Sequence, residues 1–299
     1  MNIEVNNNNL EYFKCLSSKT RLKIIELLNE KSRNIGELAD LLGVSSAMVT
    51  RHVSDLVKCN IITTENIAGK RGLQKICTLS AKKTTLIFGD SSSNIDTHNV
   101  SIPVGQYTNY EVNPTCGLAS KDSLIGICDQ PRYFSSPDRF NASIVWFQAG
   151  LLEYCIPGYI VFAKKIDAIE ISLEICSEFP GYKEDWPSDI YFYLNDIKLG
   201  VWVSPGDFGK KKGVYTPEWW NLGTQYGLLK TVKITSDGTF LDGIKLSEVT
   251  LERIEIKPGH DMILKIAAPE NTQNPGGITI FGKGFGNYNQ DIDVRVKYI

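Results

Sequence analysis

Residues Lys19–Leu79 read KTRLKIIELLNEKSRNIGELADLLGVSSAMVTRHVSDLVKCNIITTENIAGKRGLQKICTL. Apolar Leu22, Ile25, Leu27 and Leu28 recur at helical spacing and predict the inner face of one helix. Ile35, Leu38, Ala39 and Leu42 do the same for the next. Gly43 marks its end, because glycine occupies the left-handed position past a helix at little cost. Val44 fills the turn and Ser45 offers a hydroxyl cap to a third helix, in which Val49, Val53, Leu56 and Val57 point inward. Ser46, Ala47, Thr50 and Arg51 are left together on the outer face of that helix near its N-terminus. Small and polar side chains beside an arginine suit a helix that enters the major groove of DNA. Ile61–Ile67 and Gln74–Leu79 are rich in β-branched residues and predict two strands, joined by the turn AGKRGL. Lys70 and Arg71 at that turn are candidates for phosphate or minor-groove contacts. Helix, turn, helix and basic hairpin in this order predict a winged helix-turn-helix over residues 1–85.

The chain has 299 residues, enough for two domains with cores of their own. Hydrophobic residues make up 42% and charged residues 22%, which is ordinary for a globular protein. No apolar run approaches a membrane span, and the start MNIEVNNNNLEYF carries neither a basic segment nor an apolar stretch of signal-peptide type. The expectation is a cytoplasmic protein without membrane contact. Residues 1–85 hold 13 Lys and Arg against 8 Asp and Glu, a net +5, which leaves −7 on the remainder of a chain whose total is −2. A basic head on an acidic body places double-stranded DNA at the N-terminal part only. A net charge of +5 is modest, so affinity is expected to rest on a homodimer reading two half-sites.

The segment FKCLSSKTRLKIIELL followed by IGELADLLGVSSAMVTRHVSDLVKCNII resembles the ArsR family of winged-helix repressors, over about the first 80 residues. The resemblance implies a homodimer that binds a palindromic operator and responds to an effector. The family's best-known sensors place cysteine metal ligands in the helix before the recognition helix; here that helix reads GELADLLG and has no cysteine. No cofactor or metal is therefore expected. The family dimerises largely through its first and last helices, and after Leu79 a last helix looks short or absent, which gives the second domain a possible part in the dimer.

Residues 86–104, with GDSSSNIDTHNVSIPVG, read as a polar linker. Beyond them come short runs of period two separated by Gly, Pro, Asn and Asp, such as DIYFYLN and GITIFG, with no amphipathic helix of normal length. That pattern predicts a jelly-roll-like β-sandwich over 105–299, and hence an α+β chain of two domains. The phrases NPTCGLAS, WPSDI, SPGDFG, TPEWW, TQYGLLKT and FGNYNQDI look like the C-terminal domain of a long subgroup of ArsR-like regulators.

All five tryptophans, Trp146, Trp186, Trp202, Trp219 and Trp220, fall in this second part. Aromatic faces stack on the apolar face of a sugar ring while carboxylates and amides take its hydroxyls. Trp186, Asp189, Trp202, Asp207, Trp219, Trp220 and Gln225 are therefore candidate ligand residues, for a small molecule of carbohydrate type. Trp146, in SIVWFQ, reads as core, and of the adjacent Trp219 and Trp220 at least one should be buried. Two alternatives stay open: an oligomerisation or protein-interaction module without ligand, and a carbohydrate-active enzyme. For the latter, Asp185, Asp189, Asp207 and Glu218 are available, but nothing in the sequence pairs them, no Ser-His-Asp or Cys-His set is suggested, and the chain is not expected to be an enzyme. Asp237 and Asp242 in TSDGTFLDG read as hairpin turns rather than a calcium loop. The seven cysteines lack CxxC spacing and read as reduced thiols, with Cys15, Cys59 and Cys77 in the DNA-binding half leaving a redox switch possible.

Overall fold

A computed structural model describes residues 2–69, 72–81, 84–87, 96–221 and 223–299. The chain divides into two compact units, Met1–Asn94 and Ile95–Ile299.

The first unit runs β1 (Asn2–Glu4), α1 (Leu10–Leu16), α2 (Lys19–Glu30), β2 (Arg33–Asn34), α3 (Ile35–Leu42), α4 (Ser46–Lys58), β3 (Ile62–Gly69), β4 (Gly72–Leu79) and β5 (Thr85–Ile87). Side chains set the starts of its helices. Ser18 Oγ accepts from Arg21 N at 3.5 Å ahead of α2. Asn34 Oδ1 accepts from Glu37 N at 2.8 Å while Glu37 Oε2 accepts from Asn34 N at 2.9 Å, a reciprocal capping box on α3. Ser45 Oγ accepts from Met48 N at 3.3 Å at the start of α4. Each such cap is worth about 1 kcal/mol. Gly43 follows α3 at φ 64°, a conformation that a Cβ would strain.

Ile24, Leu28, Leu38, Val49, Val53 and Leu56 form the buried centre of this unit, with Ile25, Leu27, Ile35, Leu42, Val44 and Val57 packed around it. One residue of the sequence-based inner face is displaced: Leu22 is 44% exposed, and Ile24 occupies the inward position. Two residues on a helix point roughly 200° apart, so Leu22 and Ile24 cannot both face the core. The Ile24–Leu28 pair, four apart, faces it instead. β3 and β4 pair without a break from Ile62↔Leu79 to Gly69↔Gly72, β2 adds to β4, and β1 pairs with β5 in parallel. Lys70 and Arg71, at the hairpin tip, lie outside the described residues.

The second unit is an antiparallel β-sandwich. Its strands are β6 (Asp96–Ile102), β7 (Tyr107–Ala119), β8 (Leu124–Ile125), β9 (Ile144–Ile156), β10 (Ile166–Cys176), β11 (Ser188–Leu194), β12 (Ile197–Ser204), β13 (Leu228–Thr235), β14 (Gly238–Leu241), β15 (Ile244–Ser247), β16 (Met262–Ala268), β17 (Ile278–Phe281) and β18 (Ile292–Tyr298). A single helical turn, α5 (Leu251–Ile254), precedes β16. One sheet has the order β12–β11–β16–β9–β7–β8, the other β15–β14–β13–β10–β18–β6. β17 pairs with the first residues of β9 and the last of β10 and so joins the two sheets. The segment read as linker is corrected here: Asp96–Ile102 pairs along its whole length with β18, from Ile102↔Ile292 to Asp96↔Tyr298. Its side chains alternate in burial, a pattern that Asn and Ser between the apolar positions obscured in the sequence.

The strand period of two gives β9 two buried faces. Val145 and Phe147 point into the main core with Tyr107, Tyr154, Phe192 and Ile280. Ile144 and Trp146 point the other way, into a smaller cluster with Ala119, Cys176, Phe281 and Phe285. Fully burying a large apolar side chain such as Phe147 stabilises by about 1.5–3 kcal/mol. The outer cluster is covered by loops that Glu174 ties down. Glu174 is fully buried at the end of β10, and its carboxylate accepts from Gly227 N at 2.8 Å, Asn287 N at 2.8 Å and Tyr288 N at 2.8 Å.

Candidate nucleic-acid interface and sandwich pocket

Recognition-helix geometry follows from the caps and core just described. With Val49, Val53 and Leu56 buried, the first turns of α4 present Ser46, Ala47, Thr50 and Arg51 to solvent, all four exposed. Thr50 Oγ1 donates to Ser46 O at 2.8 Å, so this hydroxyl lies along the helix. Arg21 fixes the other end of the helix. Its Nε donates to Cys15 O at 2.6 Å and its Nη2 to Lys14 O at 2.7 Å, satisfying carbonyls at the end of α1, while Nη1 meets Asp55 of α4 at 3.4 Å. α1, α2 and α4 thus converge on one guanidinium, and the outward face of α4 is held by a rigid base. Replacing Arg51 with Ala is expected to weaken specific DNA binding by about 1–3 kcal/mol and to relax base preference, as loss of a bidentate base contact does. Titration of the variant and the parent chain against a selected DNA fragment checks this; equal affinity and equal preference would remove Arg51 from the interface.

The sandwich holds a cavity of about 210 Å³ on the outer face of β7, β9 and β17. Trp146 and Ile144 form its floor, Thr115 and Thr279 its sides, and Phe179, Trp220 and Thr224 a wall contributed by loops. Trp146 and Trp220 meet edge to face, centroids 5.5 Å apart at 68°, which makes an angular aromatic wall. Gly117 makes room for it: it pairs with Trp146 across β7 and β9, and a Cβ there would sit 2.3 Å from the indole. Trp220 Nε1 donates to Thr224 O at 2.9 Å, and its ring is braced by Phe285 at 5.4 Å and Trp219 at 5.6 Å.

Two carboxyls lie under this wall. Glu178 Oε1 accepts from Thr115 Oγ1 at 3.1 Å and Oε2 from Thr279 Oγ1 at 3.0 Å. Burial, with the neighbouring Asp207 adding to it, raises its carboxyl well above the usual range. Asp207 is fully buried; Oδ2 accepts from Phe179 N and Thr224 Oγ1, both at 2.9 Å, and Oδ1 has no hydrogen-bond partner among the described residues. Burial pushes Asp207 up to about 7, against the two hydrogen bonds that lower it. A protonated carboxyl in such a wall can donate as well as accept.

Of the candidate ligand residues, Trp220 lines the cavity and Asp207 supports its rim through Phe179 and Thr224. Trp219 stands beside them, 36% exposed, with Nε1 donating to Lys121 O at 2.7 Å. Gln225 braces the same loop, its Nε2 donating to Trp220 O and Gly223 O at 3.3 Å each. The others are placed elsewhere. Asp189 is buried and its carboxylate is taken by Thr272 Oγ1, Asn274 N and Asn274 Nδ2. Trp186 packs on Phe179 at 4.9 Å and donates to Glu178 O at 3.0 Å, so it holds the loop from behind. Trp202 packs against the main core with Lys230 Nζ 4.9 Å over its ring. Sequence reasoning missed Trp146 as a cavity residue, because burial and strand pattern marked it only as core. It also missed Glu178, in the run EICSEF, whose one signal was an acidic residue directly after an apolar strand. Glu218 is paired with Lys212 at 2.6 Å, and Asp242 accepts from Lys230 Nζ and Thr231 N in a turn. Among the described residues no cluster of three or more His, Cys, Asp or Glu could hold a metal ion, and no helix is long and apolar enough to cross a membrane.

Residues 18–64 match the family model described as bacterial regulatory protein, arsR family. No curated protein matches the chain. Among solved structures, the chain is similar to reduced HlyU from Vibrio cholerae N16961, at 23% identity over 24% of this chain and 73% of that one, TM-score 0.22. It is similar to Rv0081 of M. tuberculosis, at 27% identity over 24% of this chain and 70% of that one, TM-score 0.22. It is also similar to the C-terminal CBM6 of LamC, a marine laminarinase from Zobellia galactanivorans, at 11% identity over 67% of this chain and 99% of that one, TM-score 0.29.

Proposed function

The N-terminal domain being an ArsR-type DNA-binding domain, we propose that the chain is a transcriptional regulator whose sandwich senses a small neutral carbohydrate. The outward face of α4 supports the first half: Ser46, Ala47, Thr50 and Arg51 are the residues that would meet base edges, and the wing would follow the backbone. Lys70 and Arg71 are the wing residues proposed for phosphate. Two chains related by a two-fold axis would read two half-sites, with the sandwich as a possible part of the dimer.

The observation that carries the sensing half is the cavity floored by Trp146 and walled by Trp220. Its chemistry suits a sugar: indole faces for the apolar side of the ring, and hydroxyls of Thr115, Thr224 and Thr279 with the Glu178 carboxyl for its polar side. A volume of about 210 Å³ fits one residue of a saccharide rather than a long chain enclosed end to end. Trp219, exposed and edge to face with Trp220, would extend the aromatic surface for a second ring.

All five tryptophans report on the sandwich, so intrinsic fluorescence reads it directly. Titration of the full chain with glucose, galactose, mannose, xylose and their short oligomers is expected to give saturable quenching with at least one of them. Trp220→Ala is expected to lose that response in a chain that still folds, with its midpoint lowered by the lost packing on Trp146 and Phe285. If no saccharide perturbs the fluorescence of the parent chain, the sensing half fails. The sandwich is then better read as an oligomerisation or protein-interaction module.

A further inference from the structure

Cys59 is the C-cap of the recognition helix, and Cys15 lies on α1 one turn after Glu11. Cys59 Sγ sits 3.9 Å from Glu11 O, the carbonyl one helical turn before Cys15 on α1. Both line a surface hollow with Lys14, Arg21 and Lys58. Cys15 is buried and Cys59 half-buried, so a small reagent entering the hollow meets Cys59 first, with Cys15 behind it. We propose that Cys15 and Cys59 are a reactive pair that closes into a disulfide on exposure to a hydroperoxide, and that closure changes the affinity of α4 for DNA.

The chemistry balances in two steps. The Cys59 thiolate attacks one peroxide oxygen; the O–O bond breaks, the sulfur becomes a sulfenic acid, and with hydrogen peroxide the second oxygen leaves as water. The Cys15 sulfur then attacks the sulfenic sulfur, the S–S bond forms, and the sulfenic hydroxyl leaves as water with the Cys15 proton. Two thiols are oxidised by two electrons, and the peroxide is reduced. Burial pushes the Cys15 thiol up to about 12, with its Cys59 neighbour adding to the effect, which fits Cys15 as the resolving rather than the attacking group.

The consequence for DNA follows from where the pair sits. An S–S bond of about 2.05 Å is shorter than any hydrogen bond between two thiols. Its closure draws the C-terminal end of α4 toward α1, against the contact of Asp55 with Arg21 of α2, the residue that also holds the α1 carbonyls of Lys14 and Cys15. α4 is one continuous helix of 13 residues, so its DNA-facing turns move with its end.

The test uses the full chain, reduced and then treated with hydrogen peroxide. Proteolysis and mass mapping are expected to find a Cys15–Cys59 linked peptide. Affinity for a DNA fragment selected by the reduced chain from a random pool is expected to change by about fivefold or more and to return on adding dithiothreitol. Cys59→Ser, at a half-exposed position that tolerates a hydroxyl, should abolish both effects, and Cys15→Ala should do the same. Cys128→Ser, at the exposed cysteine of the sandwich, should keep both. The absence of the linked peptide in the parent chain overturns the proposal, as does a linked chain of unchanged affinity or a peroxide response that survives in Cys59→Ser. Linkage is read without DNA, so failure of the DNA-binding reading would show separately, as a reduced chain that selects no fragment.

Discussion

Glu174→Ala is expected to destabilise the sandwich by about 3–5 kcal/mol, because it removes the acceptor of several backbone N–H groups at once. The substitution removes one carboxyl side chain and strands three backbone N–H groups, that of buried Gly227 and those of half-buried Asn287 and Tyr288, at about 1–3 kcal/mol for each that finds no other partner. Gly286 is packed so closely on this contact that a Cβ there would lie 2.4 Å from the Glu174 carboxylate. Denaturant unfolding followed by tryptophan fluorescence measures the loss, and because every tryptophan lies in the sandwich the signal excludes the first unit. A change below about 1 kcal/mol would mean that water replaces the carboxylate and that the loops over the aromatic cluster are not anchored there.

The stability of the sandwich is expected to fall as the pH rises from about 4 to about 7, by about 2–4 kcal/mol. Burial raises the carboxyls of Glu178 and Asp207 in the folded state, Asp207 to about 7. Below the ordinary carboxylate value near 4, folded and unfolded chains hold the same protons and the pair contributes no slope. Between that value and the raised ones, the folded chain retains protons that the unfolded chain releases, so each rise in pH favours unfolding. Paired surface carboxylates such as Glu218 and Asp96 are shifted the other way by their lysine partners. Asp207→Asn removes one of the two groups and should flatten the slope between about pH 5 and pH 7.5. A midpoint that rises over that range in the parent chain would contradict the buried, proton-retaining pair.

The first unit was largely legible in the sequence because each of its devices is local. Asn34 and Glu37, or Ser45 and Met48, lie within one helical turn, and Gly43 declares itself by residue type. The outward set on α4 then follows from three buried positions at helical spacing. The Leu22–Ile24 exchange shows the limit: both are apolar, and only packing against α4 decides which one turns inward. Arg21 was noted as part of a spacing, but its three partners come from α1 and α4, which no local pattern joins.

The sandwich pocket was legible only in outline. The loop carrying Trp219 and Trp220 announced itself through glycine, proline and tryptophan, and Trp220 does line the cavity. Asp189 and Gln225 had the right chemistry, yet their polar atoms are occupied by Asn274 and by the main chain of their own loop. Glu178 was hidden for the opposite reason. It reaches Thr115 and Thr279 from strands 63 and 101 residues away in sequence, so its burial is a product of sheet order. Trp146 shows that buried and ligand-facing are not exclusive on a strand with two covered faces.

The central claim is that the affinity of α4 for DNA answers to what occupies the cavity beneath Trp220. Its most direct test is a titration of the full chain on its selected DNA fragment with and without a saccharide that quenches tryptophan fluorescence. The account predicts a change in DNA affinity of about 5- to 150-fold, the range for coupled sites, that disappears in Trp220→Ala while DNA binding itself persists. A saccharide that saturates the cavity and leaves DNA affinity unchanged would contradict it.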